Sequence, residues 1–379
     1  MLRSGPQRQF RGFTQYFTLR TDAAKAKISL QKAPGFVGHA SDRMMRPYNE
    51  DRIFTGVLDL PDLHGEHIPV FNFSVFDGHG GPDCAEFLAH NLAKYVETAD
   101  MDSGPDLFRS YAKEIGGYWR AWKTSLARYS RDLERSHYDD MLLRIPLAFL
   151  RADLDYIGTE KNMGSTCTSA FIYSLESGKN FWDRNVHGLL TVAQVGDTRA
   201  ILGDTMGNAL ALSTVHHPSN PHESDRLRKF STGIFRTPSG EDRYLQYANT
   251  RAFGDFQGKA HGITAEPDIA TFELNGQNKP LPGEDAFLIL VSDGVTDKAS
   301  DQELVDLVIQ SAHSGGSLRG TPQSAANEIV SYVEMLGTQD NATALVVRLG
   351  GWGNWHSWTD RSGSHREERL REDNYRRRG

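Results

Sequence analysis

Short apolar runs, many of them β-branched and several beginning or ending at an aspartate, recur along this chain at residues 52–58, 71–76, 166–173, 189–195, 198–203, 286–292 and 342–349. Each is too short for an ordinary helix and rich in side chains that pack on a pleated surface, so each reads as a strand. Helical signals are interleaved with them. Pro82 stands where a first helical residue tolerates proline, and Phe87, Leu88, Asn91, Leu92, Tyr95 and Val96 follow at helical spacing. Ser300 with Glu303 three residues on is a capping-box pattern ahead of Leu304, Leu307 and Val308, and Thr321-Pro322 opens a helix through Ile329, Val330 and Val333. The stretch 105–157 carries Trp119, Trp122, Leu126, Leu142, Leu143, Leu147 and Leu150 among charges, which predicts helices covering a sheet. Runs of strands with segregated helix pairs point to an α+β sandwich rather than a parallel βαβ sheet.

Composition narrows the function classes. The chain has 379 residues, 24% charged and 38% hydrophobic, as expected of one large globular domain with tails. A net charge of -7 argues against nucleic acid as a partner, because phosphate-backbone binders display a basic excess. Cys84 and Cys167 cannot build a disulfide framework, and neither is followed six residues later by the arginine of a cysteine-based phosphatase loop. No apolar stretch approaches the roughly 18–20 residues that span a bilayer, so no transmembrane helix is expected.

The two ends differ from the middle. In residues 1–34, seven positive side chains (Arg3, Arg8, Arg11, Arg20, Lys25, Lys27, Lys32) face one negative, Asp22. Such a segment, with Phe13, Tyr16, Phe17 and Leu19 among its arginines, reads either as a mitochondrial transit peptide or as a basic arm whose Phe13–Leu19 run adds a first edge strand. The first reading sends the protein to the mitochondrial matrix, and the second leaves it cytoplasmic. After Leu349 the pattern gives way to Gly-Gly-Trp-Gly and a mixed-charge tail, so residues 351–379 are expected to be disordered.

The chemistry is carried by acids at strand ends. Asp51 precedes the run 52–58 and Asp77 ends the run 71–76, so antiparallel pairing sets the two on one sheet edge. Asp293 closes the run 286–292 and Asp340 stands just before 342–349, and the same pairing brings them together. Four acids on one rim repel, which raises their pKa values unless cations neutralise them. Hard divalent ions such as Mg²⁺ and Mn²⁺ take carboxylate, carbonyl and water oxygens, and two of them can turn a bridging water into a nucleophile for phosphoester hydrolysis. Singly, each aspartate is as readily a turn former or cap. Asp77-Gly78-His79-Gly80-Gly81 is more specific, joining a carboxylate, a glycine-turn carbonyl and an imidazole within three residues.

The motifs Arg46-Pro47-Tyr48-Asn49-Glu50-Asp51, Asp77-Gly78-His79-Gly80-Gly81, Gly164-Ser165-Thr166, Gly196-Asp197-Thr198-Arg199, Thr250-Arg251-Ala252-Phe253-Gly254-Asp255, Glu266-Pro267-Asp268, Ser292-Asp293-Gly294 and Asp340-Asn341 occur in this order. Through them the chain, from about Gly35 to Leu349, resembles the PP2C (metal-dependent, PPM-type) protein serine/threonine phosphatases, and its general look is similar to fungal mitochondrial members. The resemblance implies a β-sandwich of two antiparallel sheets flanked by helix pairs over residues 35–350, with a flap at 216–255. It implies a monomer that takes phosphoproteins as substrates and uses two Mg²⁺ or Mn²⁺ ions.

By the same resemblance Asp77 bridges both metals, Asp293 and Asp340 complete one site, and Glu50 with the Gly78 carbonyl serves the other. Asp51 orients water, Arg46 grips the substrate phosphate through its bidentate fork, and His79 is the general acid for the leaving alkoxide. Two departures stand out: Val215 replaces an aspartate beside the flap, and Lys161 replaces the aspartate that helps hold a third metal. Third-site occupancy is therefore expected to be weak or absent, unless Glu160 substitutes beside Asp293 and Asp297. Gly196-Asp197 is expected to be a structural turn. A non-catalytic binding module of this fold is the competing class, and the presence of Glu50, Asp77, Asp293 and Asp340 tells against it. A metal-dependent nuclease is the other alternative, disfavoured by the acidic bulk.

Overall fold

The computed structural model describes residues 16–21, 24–61, 67–100, 102–115, 137–159, 161–228, 230, 233–237, 240, 242–316 and 320–376. Ten strands build its centre: β1 Val37–Asp42, β2 Arg52–Pro61, β3 His67–Phe76, β4 Cys167–Ser174, β5 Gly188–Val195, β6 Arg199–Asp204, β7 Ala209–Ala211, β8 Asp268–Leu274, β9 Asp285–Val291 and β10 Ala342–Arg348. They form two five-stranded sheets, in the orders β8-β5-β4-β3-β2 and β7-β6-β9-β10-β1, with every neighbouring pair antiparallel. This is the α+β sandwich of the sequence reading, with β1, β7 and β8 added to the strands that the apolar runs mark.

Period-two alternation explains the layers. In β3, Phe71, Phe73 and Val75 enter the core between the sheets, where Leu288 and Leu290 of β9 meet them. Val70 and Phe76 point the other way, under helices α1 Asp83–Glu97 and α3 His137–Ile157, with α2 Gly104–Ile115 packed against α3. Phe287, Ile289 and Val291 of β9 likewise face α4 Asp301–Ser314 and α5 Pro322–Met335. Strands buried on both faces read as continuous apolar runs, which is why β9 shows no alternation in sequence.

Helix starts follow their caps. Ser300 and Glu303 form a reciprocal capping box at the head of α4, and Thr321 caps α5 with Pro322 in its first turn. The predicted Trp119, Trp122 and Leu126 lie outside the described residues.

Tyr16–Thr21 and Ala24–Ser29 pair antiparallel as a two-stranded sheet of their own. Residues 1–15, with Arg3, Arg8, Arg11 and Phe13 of the transit-peptide reading, lie outside the described residues.

The tail corrects the expectation of disorder. Trp352 and Trp355 are buried against Phe287, with ring centroids 5.9 and 6.0 Å away, and helix α6 Gly363–Arg376 follows. Composition saw only the charges of this segment. Their partners are distant in sequence: buried Asp306 of α4 accepts from the Ser362 hydroxyl at 2.7 Å and the Trp358 indole at 3.0 Å, and Glu303 accepts from Arg369 at 2.8 Å.

Candidate metal centre

The acids gather where the two sheets meet. Arg52 at the head of β2 pairs with Phe76 at the end of β3, which sets Asp51 and Asp77 on one edge. Val291 at the end of β9 pairs with Ala344 near the head of β10, which sets Asp293 and Asp340 on the corresponding edge of the other sheet. Both pairings are those the sequence predicts. The link between the edges is direct: Asp51 Oδ2 accepts from the hydroxyls of Ser292 at 2.8 Å and Thr343 at 2.6 Å, both in the opposite sheet's segments.

Three carboxylates, Asp77, Asp197 and Asp293, each offer an oxygen within 4.8 Å of the others, the only such cluster among the described residues. Asp197, expected to be a structural turn residue, therefore stands inside the acidic group. Its turn joins β5 of one sheet to β6 of the other, and that crossing delivers its carboxylate to the same rim. An acid between two apolar runs, 189–195 and 198–203, was the signal that could have found it.

The remaining predicted residues surround this group. Asp340 is engaged by Arg46, whose Nη2 lies 2.6 Å from Asp340 Oδ2. The Glu50 amide donates to Asn341 Oδ1 at 2.8 Å, and the same Asn341 donates to the carbonyls of Tyr48 at 2.9 Å and Arg43 at 3.1 Å, so the Arg46–Asp51 loop is bolted to the head of β10. Gly78 packs against the Glu50 backbone so closely that a Cβ there would sit 2.7 Å from the Glu50 carbonyl. His79 lies on a two-residue strand beside Gly164-Ser165, with Nε2 2.9 Å from Asp255 Oδ2.

Electrostatics mark this rim as a place for positive charge. Burial, followed by the charges of Asp293, Asp51 and Asp197, pushes the Asp77 carboxyl well above its ordinary range. Burial and the charges of Asp197, Asp297 and Asp340 do the same to Asp293. Asp197 is also raised, by burial, against a hydrogen bond from Asn249 and the charge of His79. Burial pushes Asp51 up to about 6, against the hydrogen bonds from Thr343 and Ser292. For His79 burial acts downward, but the Asp255 bond and the charges of Asp255, Asp197 and Glu50 outweigh it and raise the imidazole pKa.

The donor set fits hard divalent cations. It consists of carboxylate oxygens held at one rim, and Asp51 Oδ1 and Asp197 Oδ1 are buried with no hydrogen-bond partner. Lys161, which stands where the resemblance leads one to expect a third-site aspartate, has its Nζ 2.5 Å from Asp83 Oδ2, and Glu160 lies outside the described residues.

Residues 216–255, expected to form a flap, are anchored by ion pairs as well as by apolar packing. Within this segment, helix Pro221–Leu227 supplies buried Glu223, which accepts from Arg251 and Arg226, each at 2.7 Å. Burial opposes ionisation of Glu223, but the two guanidiniums hold its carboxyl well below the usual range. Arg251 also reaches Asp268 at 2.8 Å, and His216 Nε2 reaches the other Asp268 oxygen at 2.9 Å. The Thr250–Asp255 and Glu266–Asp268 motifs thus brace the flap to β8.

A family profile described as protein phosphatase 2C matches residues 47–342. The chain is 36% identical to protein phosphatase 2C homolog 4 of Schizosaccharomyces pombe, over 90% of this chain and 87% of that protein. It is 28% identical to protein phosphatase 1K, mitochondrial, of Xenopus laevis, over 84% of this chain and 69% of the relative. Among solved structures, a C. elegans sex determining protein superposes with a TM-score of 0.58 at 22% identity, covering 85% of this chain and 67% of that one. A phosphatase from a pathogenic strain of Toxoplasma gondii gives 0.56 at 20% identity, covering 83% and 92%. These two share the fold. With the profile covering most of the chain and the yeast relative matched almost end to end, the chain belongs to the protein phosphatase 2C family.

Proposed function

We propose that this chain hydrolyses phosphoserine and phosphothreonine in protein substrates by direct attack of water, with two Mg²⁺ or Mn²⁺ ions as cofactors. As a member of its family it is a metal-dependent protein serine/threonine phosphatase. The observation that carries the finer reading is the Asp77–Asp197–Asp293 group on a rim shared by both sheets. Bound divalent cations supply a nucleophilic water at neutral pH and neutralise charge on phosphoryl oxygens.

Asp77, Asp293 and Asp197 are the residues that would hold the ions, with Glu50, the Gly78 carbonyl and Asp340 completing the sets that the family resemblance implies. Asp51 keeps Oδ2 on Ser292 and Thr343 and leaves Oδ1 to orient water. Arg46 binds the substrate phosphate through its planar fork. His79 protonates the leaving alkoxide, and without that proton an alkyl phosphate loses a poor leaving group. Lys161, a cation beside Asp83, supports two ions rather than three.

A phosphoserine peptide and duplex DNA offered to the purified chain in Mn²⁺ test this reading. Phosphate release from the peptide alone, abolished by EDTA and restored by metal, is expected. Turnover that survives exhaustive chelation, or cleavage of DNA without peptide hydrolysis, overturns it.

The basic N-terminal segment and the mitochondrial relative together support a mitochondrial destination. A fluorescent fusion of residues 1–34 that stays cytosolic would remove it.

A further inference from the structure

Asp255 closes the Thr250–Asp255 motif and has no part in the reading above, yet its carboxylate is the hydrogen-bond partner of the His79 ring. We infer that Asp255 is the positioning residue of the His79 acid: it holds Nε2–H and so turns Nδ1 toward the leaving oxygen. The inference rests on the acid role proposed for His79.

The geometry is built for this contact. Gly78–His79, Gly164–Ser165 and Phe253–Gly254 form a three-stranded sheet with the Gly164 strand in the middle, His79 and Gly254 each facing Gly164. The imidazole reaches Asp255 across that middle strand. It passes because residue 164 has no side chain: a Cβ there would lie 2.1 Å from His79 Nε2 and 2.7 Å from Asp255 Oδ1. A carboxylate only accepts, so the hydrogen belongs to Nε2, and the second ring nitrogen is left for chemistry. When Nδ1 gives its proton to the alkoxide, the ring stays neutral with Nε2–H still on Asp255.

Asp255 is itself held rigidly. It sits in the left-handed region, φ 46°, heading the short helix Phe256–Lys259, a conformation that costs energy for any residue with a side chain and is least costly for Asp and Asn. Its neighbours are tied to Asp153 of α3, whose Oδ1 accepts from the Gly254 amide at 2.7 Å. Asp153 Oδ2 accepts from the Tyr111 hydroxyl at 2.5 Å and pairs with Lys259 Nζ at 2.7 Å, and Lys259 also donates to the Ala252 carbonyl at 2.7 Å. Asp153 and Lys259 are both fully buried. A fully buried ion pair is poor value as stability alone, and here its two members bracket the backbone that carries Asp255.

The test compares a phosphoserine peptide, whose leaving group needs a proton, with p-nitrophenyl phosphate, whose leaving group does not. Asp255→Ala, Asp255→Asn, His79→Ala and the double variant Asp255→Ala/His79→Ala are assayed for kcat/KM on both. Asn suits φ 46° and keeps an oxygen acceptor, so it guards against misfolding and is expected to lose less than Ala. Asp255→Ala should lose at least about tenfold more on the peptide than on the aryl phosphate, within the range a general acid contributes. In the His79→Ala background it should change peptide turnover by less than about twofold, because the two residues act as one unit. Equal losses on both substrates, or losses that multiply in the double variant, overturn the inference while leaving the acid role intact. Should His79→Ala itself lose equally on both substrates, the acid role falls and the inference with it.

Discussion

Arg46 and Asp340, the residue assigned to substrate phosphate and one assigned to metal, are bonded to each other, Nη2 to Oδ2 at 2.6 Å. The bond to Asp340 is also the leading reason the guanidinium pKa is raised. A guanidinium on a carboxylate competes with a cation for that carboxylate, so the pair links the two binding events.

Arg46→Ala is therefore expected to raise KM for a phosphopeptide and, at the same time, to lower the Mn²⁺ concentration for half-activation. Both side chains are more than a third exposed, which limits the pair to about 0.2–1 kcal/mol and the shift in metal midpoint to at most about fivefold. Titration of activity against Mn²⁺ at fixed ionic strength measures it. An unmoved midpoint would show that Asp340 and the ion do not compete.

Crowding of Asp77, Asp197 and Asp293 has a signature separable from turnover. A carboxylate whose folded pKa is raised opposes folding when ionised, so Asp77→Asn should melt higher than the unsubstituted protein in EDTA at pH 7.5. It should lose activity by more than about a hundredfold, the upper end of what loss of a supporting partner costs a metal site. Mn²⁺ at a hundred times its Kd stabilises the unsubstituted protein by about 2.7 kcal/mol. Asp77→Asn should show little of that gain in the same calorimetric scan, and a full gain would place the ions elsewhere.

Away from the site, Asp285 at the head of β9 gives a pH prediction. It is buried, its Oδ2 accepts from the Asn275 amide at 2.8 Å, and its Oδ1 has no partner. Burial pushes its carboxyl up to about 6 despite that amide. With the unfolded value near 3.9, the folded state holds the proton longer, so stability falls as pH rises from about 4 to about 6 and stays reduced above that. The loss is at most about 3 kcal/mol. Asp285→Asn keeps an acceptor for the Asn275 amide and lacks this slope. Its melting temperature should exceed that of the unsubstituted protein by more at pH 7.5 than at pH 4.5, and a constant difference would refute the assignment.

Asp306 anchors the C-terminal segment, accepting from Ser362, Trp358 and the Arg361 amide while fully buried. Asp306→Ala leaves those donors unpaired, at about 1–3 kcal/mol for each that stays buried. A clear fall in melting temperature is expected, with faster amide exchange in residues 352–372 than in β9. Exchange unchanged in that segment would mean that the tail is held by its tryptophans alone.

Much of this was readable from local pattern. The acids flanking β2, β3, β9 and β10 sit at the ends of apolar runs, and antiparallel pairing of neighbours suffices to bring them to common edges. Asp197 was not readable that way, because its contribution depends on the β5–β6 turn passing from one sheet to the other. Asp255 reaches His79 only by crossing a glycine on a third strand, a relation among three distant segments. Residues 351–376 looked like a solvated tail because composition counts charges and cannot see that Asp306 and Glu303 wait beneath them.

The rim has one more consequence, which follows from where its parts originate. Asp77 comes from one sheet, Asp293 from the other, and Asp197 from the crossing between them, while Ser292 and Thr343 grip Asp51 across the gap. Neither half alone owns a complete set of oxygens. If these oxygens hold the ions as proposed, cation affinity appears only when both halves have docked, and each ion gained pulls them together by the same free energy. Metal occupancy is in this sense a gauge of closure, and a partly opened molecule would shed its ions before it lost its strands.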